Sequence, residues 1–182
     1  MKILLIGSQG SGKSTQAKLL AEYLKIPYIS TGDIFREMAL PGAGDLLSQR
    51  VRKILQEGKL VDDQTTCKIV KNRFNQADCQ GGFALDGYPR TLEQAKIFDP
   101  GFDKAFYLNV PEEVVIARLT KRGRVDDTLK SIKMRLDLYY QQTAPLLNYY
   151  KNRGILIEID GIGTVEEIQQ HIREVLDGKS QQ

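Results

Sequence analysis

At 182 residues, with 41% hydrophobic and 27% charged residues, the chain has the size and balance of one compact domain that can bury a core without disulfides or structural metal. That composition excludes a disordered chain, and a formal net charge of +3 is too small by itself to mark a nucleic-acid binder. The apolar run Ile3–Ile6 is too short for a signal-peptide core or a membrane span, and no other stretch is long enough. The expectation is a soluble, cytoplasmic protein with neither nucleic acid nor membrane as partner.

In chain order, Lys2–Ile6 reads as a short buried strand, followed by a glycine-rich turn and a helical pattern from Lys13 to Lys25. Pro27–Ser30 reads as a second short strand. Residues 31–76 are helical in pattern, with breaks at 41–44 and at Gly58. Phe83–Asp86 is an apolar strand ending in an acid, and Lys104–Asn109 is another strand. Pro111 suits the first turn of a helix that runs to Lys121. A short turn leads into a helical stretch, Thr128–Gln142. Pro145 interrupts it, and a further helix reaches Arg153 with Gly154 as its stop. Ile155–Ile159 is the last strand and Val165–Leu176 the last helix, before a polar tail that frays. Strands alternating with helices predict an α/β fold: a three-layer sandwich of about five parallel strands, with ligands at their carboxyl ends.

Cys67 and Cys79 form no C-x-x-C pair, and the single histidine, His171, is far from both in sequence. Two reduced thiols are expected, with no structural zinc. His171 reads as a surface residue. Tyr139, Tyr140, Tyr149 and Tyr150 fall at helical spacing and read as packing.

Gly7–Ser14 fits G-x-x-x-x-G-K-[ST] in full, placed between a strand and a helix. In that phosphate loop (P-loop) the backbone N–H groups of Gly10, Ser11, Gly12 and the helix start converge on an anion. Lys13 reaches the β/γ-phosphates, and Ser14 or Thr15 helps to hold Mg²⁺. The motif marks a nucleotide-phosphate site but does not separate kinases from other phosphate-loop proteins.

Three further segments narrow the class: Ser30–Arg36, reading STGDIFR; Gly58–Val61, reading GKLV; and Phe83–Arg90, reading FALDGYPR, with Gln94 four residues beyond. Arg36 and Arg90 have guanidinium forks that match an α-phosphate. Asp86 ends a strand where it can orient Mg²⁺ through water. Gly87 permits close backbone approach, and Pro89 can set a tight turn. Arg118 and Arg122 share a helix face, with Arg124 and Arg135 close by in sequence, and clustered cations suit the charge of a moving phosphoryl group.

In order and spacing, these segments together with Arg118, Arg122, Arg124–Asp127, Arg135 and Thr143–Leu146 closely resemble the adenylate kinase family over nearly the whole chain. The resemblance implies a P-loop kinase domain spanning 1–182, with an AMP-binding helical insertion at about 31–60 and a vestigial lid at about 122–126. It implies reversible transfer from ATP to AMP, giving two ADP, by direct in-line attack with Mg²⁺. ATP would contact Gly10 to Thr15, Arg118, Arg122 and Gly163. AMP would contact Thr31, Arg36, Lys59, Leu60, Val61, Gly87, Tyr88, Pro89, Arg90, Gln94, Arg124 and Arg135. Lys13, Arg90, Arg122, Arg124 and Arg135 would carry catalysis, and Ser14, Thr15 and Asp86 would hold the metal.

By the same resemblance, Arg118 would lie against the donor base. Thr31 with Gln94 would favour AMP, because pyrimidine nucleotide kinases typically carry alanine and asparagine at those places. Two departures stand out. Only Gly123 separates Arg122 from Arg124, where family members usually carry a lid; a neighbouring subunit or motion of residues 31–60 would have to help seal the site, so both monomer and homo-oligomer stay open. Ser14 stands where the family usually has glycine. Another nucleoside monophosphate kinase (UMP, CMP or deoxynucleotide), a weakly catalytic nucleotide-sensing module and a plain ATPase are the competing readings.

Overall fold

The structure, a computed structural model, describes residues 1–40, 45–56, 61–123 and 128–178. Five strands, β1 (Lys2–Ile6), β2 (Tyr28–Ser30), β3 (Phe83–Asp86), β4 (Lys104–Asn109) and β5 (Leu156–Asp160), form one parallel sheet in the order β2-β3-β1-β4-β5. The strand period of two splits the apolar run of β1 between two cores. Leu4 and Ile6 join Phe83, Leu85, Leu146 and Tyr150 on one face. Ile3 and Leu5 join Ala17, Leu20, Phe106, Ile168 and Ile172 on the other. Helices therefore cover both faces, giving the three layers expected.

Nine α-helices are described: α1 (Lys13–Leu24), α2 (Thr31–Ala39), α3 (Leu46–Gln56), α4 (Asp63–Phe74), α5 (Leu92–Ile97), α6 (Glu112–Arg122), α7 (Leu129–Leu138), α8 (Pro145–Asn152) and α9 (Val165–Leu176). Most begin on a side-chain cap: Ser30, Asp62, Thr91 and Thr128 each accept from a backbone N–H three residues on, and Thr164 with Glu167 forms a capping box. A third apolar cluster, Val110, Val115, Leu119, Ile132 and Leu136, packs α6 against α7. This cluster fixes the helices that carry Arg118, Arg122 and Arg135.

The sequence reading differs from the fold most at two places. Helix α5 was not anticipated; six residues are too few to display a 3.6-residue period. The helical stretch expected to Gln142 changes at Leu138 into a π-helical turn, Tyr139–Thr143, closed by Ala144 N–H donating to the Tyr139 carbonyl at 2.9 Å. Pro145 then opens α8 at its first helical position. A proline ring clashes with the carbonyl four residues back in a regular α-helix, and the widened turn moves that carbonyl away. Gly154 and the bounds of the last helix are as expected.

Candidate active site

The phosphate loop leaves β1 at Gly7 and enters α1 at Lys13. Gly10 has φ +90°, and a Cβ there would stand 2.8 Å from Leu119 Cγ, so the loop lies flush on α6. Gly12, at φ +93°, has open space where a Cβ would go. It is the cap residue of α1 and brings no side chain to the first N–H groups, and no acid lies in that first turn. A helix start without a side-chain cap can receive an anion on its first N–H groups. The loop is closed by Ser11 N–H donating to the Ser8 carbonyl at 3.2 Å. Ser11 is itself buried, with its hydroxyl turned inward.

Lys13 curls back over this loop, donating from Nζ to the Ser8 carbonyl at 3.2 Å. Its Nζ stands 4.0 Å from Asp86 Oδ1 at the end of β3. Burial pulls the Lys13 ammonium below the ordinary lysine range; Asp86 opposes this, while Arg90 and Arg122 add to it. One ammonium thus lies within electrostatic reach of an arginine from each side of the cleft.

Asp86 is buried, and its Oδ2 accepts from the Ser14 hydroxyl and, at 3.4 Å, from Tyr28. Its Oδ1 is buried without a hydrogen-bond partner. A carboxylate oxygen so left, next to the Ser14 hydroxyl and the phosphate loop, fits a hard divalent cation held directly or through water. Thr15 is exposed beside Ser14 at the helix start. Among the described residues no three His, Cys, Asp or Glu side chains gather into a metal cluster.

On the acceptor side, Gly87 has φ +90°, and a Cβ there would lie 2.5 Å from Thr31 Oγ1. Thr31 is buried, its hydroxyl donating to the Asp86 carbonyl at 3.5 Å. Arg90 folds back so that Nε donates to the Gly87 carbonyl at 2.9 Å. Arg90 is exposed to solvent, yet the protein atoms crowding its guanidinium lower its pKa, Asp86 counteracting and Arg36 reinforcing. Arg36 pairs with Asp33 one turn away on α2. The like charge of Arg36 thus adds to the lowering at Arg90, a repulsion that an anion between them could relieve.

Tyr88 and Pro89 follow a different course from that expected of contact residues. The Tyr88 side chain is buried in the core, its hydroxyl donating to the Phe98 carbonyl at 2.5 Å, so only its backbone is left for the cleft. Pro89 is buried behind a cis peptide bond. Gln94 is buried on α5; Oε1 accepts from Arg90 N–H at 2.8 Å and Nε2 donates to Asp63 at 2.7 Å. Val61 is half-buried just before α4, while Lys59 and Leu60 lie outside the described residues.

On the donor side, Arg118 reaches the Ser11 carbonyl at 3.4 Å and the Gly161 carbonyl at 3.0 Å, tying the phosphate loop to the loop after β5. Arg135 donates to Gln9 Oε1 at 3.1 Å, which brings α7 onto the same loop. Arg122 ends α6 on the solvent side, before Gly123 at φ +64°. Gly163, at φ +126°, is exposed in the loop after β5. Arg124 lies outside the described residues, as do 124–126 of the expected vestigial lid and 41–44 and 57–60 of the expected AMP-binding insertion.

Five neighbours of this cleft were given no role by sequence reasoning. Gln9 holds Arg135 and Gly161 holds Arg118; Tyr28 touches Asp86; Asp63 holds Gln94; Thr143 Oγ1 donates to the Arg90 carbonyl at 2.9 Å. The sequence marked Gln9 only as a phosphate-loop position and Thr143 only as part of the Thr143–Leu146 segment, without a contact for either.

Comparison with known proteins agrees with the geometry. A family model described as adenylate kinase matches residues 5–155. The chain is 42% identical over 188 residues to an adenylate kinase of Nocardioides sp., covering 97% of each chain. It is 40% identical over 191 residues to one from Thermobifida fusca, covering 99% of this chain and all of the relative. With an adenylate kinase of Methanosarcina acetivorans it shares 36% identity over 213 residues, covering 97% and 98%. Of these spans the last exceeds the 182 residues of this chain by the most, so that relative carries sequence that this one lacks.

Proposed function

The chain belongs to the adenylate kinase family, and from that premise we propose how its residues divide the work of moving a phosphoryl group from ATP to AMP. The protein is a nucleotide-binding phosphotransferase, an adenylate kinase.

ATP sits with its phosphates on the N–H groups of Gly10–Thr15 and with Lys13 on the β/γ oxygens. Arg118 borders the donor pocket and Gly163 lies near the donor base. AMP sits with its α-phosphate between Arg36 and Arg90, its backbone neighbours being Gly87, Tyr88 and Pro89. Thr31, Val61 and Gln94 face its base, with Lys59 and Leu60 on the same segment as Val61. Arg122, Arg124 and Arg135 face the phosphoryl group in flight. The observation that carries this reading is the phosphate loop tied to Arg118 and Arg135 on one side and, on the other, to Asp86, which stands 4.0 Å from the Lys13 ammonium and directly before the Gly87 carbonyl that Arg90 holds.

Direct transfer needs no protein nucleophile. The nucleotides must be aligned, and the charge spread over the moving group must meet cations already in place. Ser14, Thr15 and Asp86 would hold Mg²⁺, partly through water. When bound there, the metal neutralises donor phosphate oxygens. The Asp86 carboxylate also balances Lys13, which would otherwise stand among cations only.

Helix α6 ends at Arg122 and α7 starts at Leu129, so the link between them is too short to form a lid domain of its own. Arginines closing over the phosphates, helped by motion of the 31–60 insertion or by a second copy of the chain, supply the seal. Buried thiols at Cys67 and Cys79 and a supply of nucleotides suit the cytoplasm. Among the described residues no helix is long and apolar enough to cross a membrane.

Steady-state ADP formation with ATP and a panel of monophosphates tests this reading. AMP is expected to give the highest kcat/KM, and ATP hydrolysis without AMP to be a small fraction of transfer. Hydrolysis rivalling transfer would refute the seal, and a better acceptor than AMP would refute the base site.

A further inference from the structure

We propose that Asp63 is a positioning residue for acceptor choice: it locks the Gln94 amide in the one orientation that reads adenine. The proposal rests on the reading of Gln94 as the residue facing the acceptor base. Asp63 is the first residue of α4, half-buried, and reaches across to α5. Its Oδ1 accepts from Gln94 Nε2 at 2.7 Å, and its Oδ2 accepts from Thr91 Oγ1 at 3.4 Å. At the other end of the amide, Gln94 Oε1 accepts from Arg90 N–H at 2.8 Å.

A side-chain amide turned by half a turn keeps its shape but exchanges donor and acceptor. Here neither end tolerates the exchange. A turned amide would set its oxygen against an acceptor-only carboxylate and its NH₂ against the Arg90 N–H. Gln94 is buried, so both clashes would occur away from bulk water, where an unmade hydrogen bond is most costly. The Thr91 hydroxyl keeps the carboxylate turned to the amide, since it also accepts from Gln94 N–H at 3.0 Å and so lies on the same helix start.

Each end of the locked amide has one capacity left: a second N–H on Nε2 and a second lone pair on Oε1. That pair is complementary to a base edge offering an acceptor beside an amine donor in one fixed order. Adenine has that edge, a ring nitrogen next to the exocyclic amine. Hypoxanthine presents an oxygen and a ring N–H at the same two places, the reverse order. A free amide would turn to suit either base. A locked one refuses the second, because the ribose phosphate is already fixed by Arg36 and Arg90.

The test compares kcat/KM for AMP and for inosine monophosphate in the wild type, Asp63→Asn, Asp63→Ala, Gln94→Ala and, as a control on helix integrity, Asp62→Ala. Asp62 caps α4 without touching the amide. Asp63→Asn keeps the shape but accepts or donates equally well. It is expected to lower the AMP-to-inosine-monophosphate ratio about tenfold, mostly through KM, by loss of one charge-assisted hydrogen bond. KM for ATP should stay at the wild-type value. Asp62→Ala is expected to lower Tm yet keep the ratio. A ratio moved by Gln94→Ala but not by either Asp63 variant overturns the positioning role alone. A ratio that Gln94→Ala leaves untouched overturns the base reading and the positioning role with it. A ratio shifted equally by Asp62→Ala overturns the role by tracing the effect to helix stability.

Discussion

Replacing Lys13 by methionine separates stability from catalysis more cleanly than any other single change in this cleft. The Lys13 ammonium stands 4.0 Å from Asp86 Oδ1 and 3.2 Å from the Ser8 carbonyl. Two unit charges at about 4 Å attract by roughly 4 kcal/mol at an effective dielectric of about 20. A phosphoryl oxygen in the same position gains a similar stabilisation as its charge develops. Removal of one such preorganised donor costs about 3–4 kcal/mol in the transition state, or ~10²–10³-fold in kcat.

Stability moves the other way. Burial lowers the Lys13 pKa in the folded chain, so the folded state holds this proton less tightly than the unfolded one. The charged ammonium therefore opposes folding at neutral pH, and that cost fades as pH rises towards the ordinary lysine range. Lys13→Met removes it. Coupled ADP formation at saturating ATP and AMP should show the loss of turnover, while thermal unfolding at pH 7 should give a Tm at or above that of the wild type. A variant within tenfold of wild-type kcat would refute the electrostatic role. A clear fall in Tm would refute the reading of Lys13 as a strained, functional charge.

Arg90→Ala should raise KM for AMP and lower kcat together, costing ~10²–10³-fold in kcat/KM, with little change in KM for ATP; initial-rate kinetics in both substrates would show it. Gly87→Ala should destabilise by roughly 2–4 kcal/mol, since φ is +90° and the new Cβ would stand 2.5 Å from Thr31 Oγ1. Denaturant melts measure that cost, and a neutral substitution would contradict the close approach of these segments. Burial pushes both the Cys67 and Cys79 thiols up, so neither should react with a thiol-specific chromogen in the native protein at pH 8, and both should react on unfolding.

Much of the fold was legible because it follows from local rules. Phe83–Asp86, Lys104–Asn109 and Val165–Leu176 fall where the apolar runs and turn residues place them, and the phosphate loop carries its own context. Helix α5 was not legible because its stability comes from the Thr91 cap and from Ala95 packing on the core, not from periodicity. The π-helical turn before Pro145 depends on how one carbonyl avoids a proline ring, which composition does not register. In the site, single residues with strong chemical character were readable: Lys13, Asp86, Arg36, Arg90. The residues that hold them were not. Asp63 and Gln94 are 31 positions apart and meet only because α4 and α5 pack together. Tyr88 sits inside a motif rich in contact residues, yet the turn after β3 sends its ring into the core.

The most direct measurement is the binding of a bisubstrate mimic, two adenosines joined through five phosphates, by calorimetry. With paired sites facing one another across Lys13, the wild type should bind it far more tightly than ATP or AMP alone, and Lys13→Met and Arg90→Ala should each weaken it. Affinity no better than that for ATP, unchanged by Arg90→Ala, would contradict the existence of two facing nucleotide sites in this cleft.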